Sequence, residues 1–97
     1  MLLRMNFKDK DIEAFWNDPA CAPARVPSDL RKVLYRKLQM LDAAASIGDL
    51  KVPPGNRLEK LAGARAGQYS IRVNQQWRLC FIWTNSGIQG VEFNDYH

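Results

Sequence analysis

The stretch QYSIRVNQQWRLCFIW, residues 68–83, holds two runs of alternating character joined by a polar break. In the first run Tyr69, Ile71 and Val73 share one face and Ser70 and Arg72 the other. In the second, Trp77, Leu79, Phe81 and Trp83 lie opposite Arg78, Cys80 and Ile82. Side chains of an extended chain alternate with period two, so the pattern predicts a β-hairpin with one apolar face. Past Arg78 the second run is apolar on both faces, which predicts a central strand covered above and below. A three-residue loop at Asn74-Gln75-Gln76 would pair Val73 with Trp77 and set Arg72 directly opposite Arg78. A two-residue loop would instead set Val73 opposite Arg78. Opposed like charges repel on a sheet. The first register therefore calls for an anion between the two guanidinium groups, or for a carboxylate such as Asp95 or Glu92.

Outward from the hairpin, Ile88 to Phe93 reads as a last strand after a turn at Asn85-Ser86-Gly87, and Arg57 to Leu61 as a weaker strand before it. Leu2 to Phe7 is a short apolar opening suited to an edge strand. Lys8 to Trp16 predicts a helix, with Ile12, Phe15 and Trp16 at i, i+3, i+4 and Asp9 and Asp11 near its positive end. Ser28 is an N-cap candidate for a second helix whose stripe is Leu30, Val33, Leu34, Leu38, Leu41 and Ala45, closed by Gly48. The expected fold class is α+β: a small, largely antiparallel sheet with two N-terminal helices packed on one face.

The 97 residues fit a single domain, residues 1–97, and the 46% hydrophobic and 25% charged fractions are those of a globular chain. No apolar run reaches the roughly 18 residues that span a bilayer. The opening MLLRMNFKDK has no long apolar region or small-residue cleavage site, so the expected location is the cytoplasm, with no membrane partner. Cys21 and Cys80 are far apart, and with one histidine in the chain a zinc site would lack ligands. Cys80 reads as a small buried hydrophobe.

Net charge is +4, and residues 51–83 hold six basic residues against the single acid Glu59, a surplus of five that leaves the remainder at −1. Such a concentration suits a polyanionic partner, and equally a solvated basic surface. The basic residues of the second helix read as a solvated face. The chain's one histidine, His97, follows Asp95 and Tyr96. A strand ending there beside the Trp77–Trp83 strand would bring a proton carrier and a stacking ring toward the arginines.

The run NRLEKLAGARAGQYSIRVNQQWRLCFIW, residues 56–83, with the final Asp-Tyr-His, resembles the HigB-like branch of the RelE/ParE toxin superfamily, the killer proteins of bacterial toxin–antitoxin pairs. The resemblance implies a RelE-like element order, β-α-α-β-β-β(-β), and a ribosome-dependent endoribonuclease that cuts translated mRNA with no metal or other cofactor. It also implies a HigA-like helix-turn-helix antitoxin, through which the pair would bind its own operator DNA. By position, Arg78 would be the phosphate-stabilising arginine and Asp95, Tyr96 and His97 the C-terminal catalytic group, while Arg57, Lys60, Arg65 and Arg72 would bind substrate. Some HigB-type toxins carry a histidine where this chain has Glu59-Lys60, so Glu59 would take over an acid or base role there. Two other readings stand beside this one: a non-catalytic ParE-like inhibitor of DNA gyrase, and a basic module that only docks an acidic antitoxin segment.

Overall fold

A computed structural model describes residues 5–95. Strand β1 (Met5–Phe7) leads into helix α1 (Lys10–Asn17), a loop and helix α2 (Arg31–Ala43). Strands β2 (Glu59–Lys60), β3 (Tyr69–Arg72), β4 (Arg78–Thr84) and β5 (Gly87–Asn94) follow. The sheet order is β1-β5-β4-β3-β2. Strands β2 to β5 pair antiparallel, and β1 lies parallel to β5 as an edge strand. This is the expected α+β layout. The expected start of the first strand, 2–4, lies outside the described residues.

The apolar face of the hairpin is the one the alternation predicts. Ile71, Val73, Leu79 and Phe81 are buried, and Tyr69, Trp77 and Trp83 pack around them. Against this face lie Ile12 and Phe15 of α1 and Leu34, Leu38 and Leu41 of α2. Truncating one of the fully buried leucines to alanine costs about 2–5 kcal/mol at such sites. Trp77 stacks on Phe93 across the sheet, with ring centroids 4.4 Å apart and planes 7° apart. That contact ties the start of β4 to the end of β5.

Three local expectations are corrected. Ser28 does not cap α2: residues Ser28–Leu30 form a single 3-10 turn, and the helix proper starts at Arg31. The helix stops at Ala43, so Ala44 rather than Ala45 is the last buried position of the stripe. The Asp49 carboxylate accepts the main-chain N–H groups of Ala45 and Ser46 and turns the chain away there. Strand β4 is covered on both faces only at Cys80, while Ile82 is 40% exposed. Gly90, at φ 63°, helps shift the β4–β5 register by one residue between Cys80 and Ile82, the form of a G1 bulge.

Candidate active site

The open face of the sheet is built by the residues that alternate with the core. Glu59, Ser70, Cys80 and Glu92 form one row across β2, β3, β4 and β5, and Arg72, Arg78 and Asn94 form the next. The hairpin takes the three-residue loop. Val73 donates its N–H to the Trp77 carbonyl at 2.9 Å, and the Asn74 Oδ1 accepts from the Gln76 and Trp77 amides. That side-chain turn fixes the register in which Arg72 and Arg78 are directly opposed.

Arg78 is held closely. Its Nε donates to the Ser70 Oγ at 2.8 Å and its Nη2 to the Arg57 carbonyl at 2.7 Å, while the Glu59 Oε1 stands 4.0 Å from Nη2. Both close acceptors are neutral, and Glu59 pairs with the guanidinium only at the limit of ion-pair distance. Arg57 takes a left-handed backbone, φ 46° and ψ 55°. That conformation costs a non-glycine residue about 1–2 kcal/mol, and here it accompanies a carbonyl aimed at Arg78. The Arg72 Nε is buried with no hydrogen-bond partner among the described residues. Two opposed guanidinium groups, one with an unpartnered Nε, are an arrangement able to take an anion.

The other expected site residues are placed differently. Arg65 donates Nη1 to the Glu92 Oε1 and to the Gln68 Oε1, both at 3.1 Å. Burial alone would raise the Glu92 carboxyl, but Arg65, Lys8 and a hydrogen bond from Asn94 hold it below its usual range. Lys60 is opposite Tyr69, so strand alternation puts it on the face away from Glu59 and Arg78. The substrate-binding role expected of Lys60 therefore does not fit the face that carries Arg78. Asp95 accepts from the Gln76 Nε2 at 2.8 Å, beside the hairpin tip. Tyr96 and His97 lie outside the described residues. Burial pushes the Cys80 thiol up to about 11, which removes it as a nucleophile near neutral pH.

The profile of the HigB-like toxin family, described as the RelE-like toxin of type II toxin–antitoxin system HigB, matches residues 5–97. The chain belongs to that family. It is 45% identical to Toxin HigB-1 of Vibrio cholerae serotype O1 over 94 residues, 97% of this chain and 94% of that protein. It is 36% identical to Endoribonuclease HigB of Proteus vulgaris, covering 95% of this chain and 97% of that one. Among solved structures, YoeB in a heterotetrameric YoeB-YefM toxin-antitoxin complex from Staphylococcus aureus superposes with a TM-score of 0.61 at 20% identity, covering 100% and 99% of the two chains. The YoeB/ParE toxin from Agrobacterium tumefaciens gives 0.55 at 17%, covering 100% of both. These likenesses establish a shared fold.

Two members of this HigB-like site were not marked by the sequence. Ser70 looked like any polar residue on the outer face of a strand, yet it is fully buried beneath Arg78. The role of the Arg57 carbonyl has no side-chain signature at all. Its only trace is the Pro53-Pro54-Gly55-Asn56 run, which predicts an irregular loop there.

Proposed function

We propose that this HigB-like toxin is an mRNA endoribonuclease that acts on the ribosome in the bacterial cytoplasm and is restrained by a cognate HigA-like antitoxin. Binding to operator DNA would go through the antitoxin. The observation that carries the reading is Arg78, fixed by neutral acceptors and set opposite Arg72 on the open face of the sheet. An oriented guanidinium whose carboxylate pairing with Glu59 is long suits a phosphate whose charge grows during reaction.

The chemistry needs only the RNA and the chain's own groups. The 2′-hydroxyl oxygen attacks the adjacent phosphorus as the bond from phosphorus to the 5′-oxygen breaks, leaving a 2′,3′-cyclic phosphate and a 5′-hydroxyl. One proton leaves the 2′-oxygen and one reaches the 5′-oxygen. Glu59 and His97 are the candidate acceptor and donor, each role typically contributing about 10²–10⁴-fold. Tyr96 would stack on a base splayed from the message. Asp95 would orient the C-terminal group from its place beside Gln76. Arg72 and Arg57 would bind phosphates, with Arg65 further out along the RNA path.

Mapping mRNA ends on programmed ribosomes tests this. The expected products carry cyclic phosphate and 5′-hydroxyl ends, and a 2′-deoxynucleotide at the cut site blocks cleavage. His97→Ala is expected to slow cleavage strongly. Products with 5′-phosphate ends would point instead to hydrolysis by an activated water. Intact message together with inhibited gyrase supercoiling would replace the nuclease by the ParE-like reading.

A further inference from the structure

Among the described residues, only two polar or charged residues are buried, Asn56 and Ser70, both fully. Ser70 is a direct partner of Arg78. Asn56 touches nothing in the site, yet it immediately precedes Arg57, whose carbonyl is the other partner. A buried amide has to be satisfied on every side to be tolerated, and this one is. Its Nδ2 donates to the Leu50 carbonyl at 3.2 Å and the Val52 carbonyl at 3.4 Å, and its Oδ1 accepts from the Lys37 Nζ of α2. The main-chain N–H groups of Asn56 and Arg57 are bonded to Pro53 and Pro54. Every turn of the loop is thus tied either to itself or to α2.

We infer that Asn56, clamped by Lys37, is a positioning residue for Arg78: it holds residues 50–57 so that the Arg57 main-chain carbonyl anchors the guanidinium. Helix α2 and the reacting arginine, on opposite faces of the sheet, are connected by this relay. The Arg57 left-handed backbone is the element that needs the clamp, because an unrestrained arginine relaxes to negative φ and its carbonyl turns away. Arg78 would then keep one close hydrogen bond, to Ser70, and the long pairing with Glu59, and its guanidinium could swing about the Ser70 contact. Misplacement by about 1 Å by a change outside the reacting groups can cost on the order of 10²-fold in rate.

The inference rests on the nuclease reading for its kinetic arm alone. Lys37→Met keeps the apolar stem of the side chain and removes the donor. Asn56→Ala removes the whole clamp. Single-turnover cleavage on programmed ribosomes is expected to fall roughly tenfold to a hundredfold at saturation in both, with half-saturation unchanged within about twofold, whereas Lys37→Arg restores the rate. The second arm is the ¹⁵N–¹H resonance of the Arg78 Nε, identified by its loss in Arg78→Lys. In the wild type it is sharp and slow to exchange; in Lys37→Met it broadens and exchanges quickly. An unchanged Arg78 resonance in a folded Lys37→Met protein overturns the inference, as does a rate loss that only follows the unfolded fraction seen by circular dichroism. Should the wild type cut no RNA, the nuclease reading falls while the resonance still decides the clamp.

Discussion

Arg25 and Arg78 occupy opposite situations within one small domain. Arg25 donates to the carboxylates of Asp9 and Asp11, at 2.8 and 2.7 Å, and to the Phe93 carbonyl at 3.1 Å, and its guanidinium sits over the Phe93 ring. The hydrogen bond from Arg25 holds the Asp11 carboxyl below its usual range. Its charge is spent on the fold: it pins α1 to β5, helped by Asp9, which also accepts the Phe93 N–H. Arg78 is the more buried of the two, with 14% of its side chain exposed against 39% for Arg25, yet its ion pair among the described residues, with Glu59, is as long as 4.0 Å. Desolvating a cation while giving it only neutral close acceptors is unfavourable for stability alone. Partner charge, more than burial, separates the arginine that holds the fold together from the one proposed to meet a phosphate.

The contrast can be broken most directly at Arg78. Arg78→Ala is expected to lower ribosomal mRNA cleavage by at least about 10²-fold, while the protein still melts cooperatively. Wild-type cleavage by that variant would erase the distinction. Arg25→Ala should do the reverse. It is expected to cost about 1–2 kcal/mol, because its ionic partners are strong but partly exposed and screened. That corresponds to a fall of roughly 5–15 °C in melting temperature, with cleavage per folded molecule preserved.

The smallest effect concerns Glu92, the carboxylate paired with Arg65 and Lys8. Its carboxyl is lower in the folded chain than in the unfolded one. The stability it adds is therefore present above the unfolded value near 4.3 and is lost as pH falls through the folded value. Glu92→Gln should flatten that part of the acid limb in urea unfolding measured from about pH 5 downward. An unchanged acid limb would mean that the Arg65–Glu92 pair contributes nothing to the fold.

Much of this was legible before any coordinates. Period-two alternation in residues 68–83 located the hairpin and its buried face, because a half-buried strand leaves no other pattern. The opposed arginines followed only once the loop length was known, since one residue more or less reassigns the faces. Lys60 was misplaced for the same reason: adjacency in sequence is opposition in a strand. The clamp at Asn56 was invisible, because nothing in an isolated asparagine distinguishes a buried hydrogen-bonding hub from an exposed loop residue. Parallel pairing of β1 with β5 was equally hidden, as it joins segments more than 80 residues apart.

That pairing has a consequence for when the sheet can close during synthesis. Strand β5 lies inside the sheet between β1 and β4, yet it is synthesised after both. The N-terminal strand has no neighbour until β5 arrives, and non-local closure of this kind is slow to reward the chain. Until β5 has been made, the arginine hairpin therefore stands in an unfinished sheet.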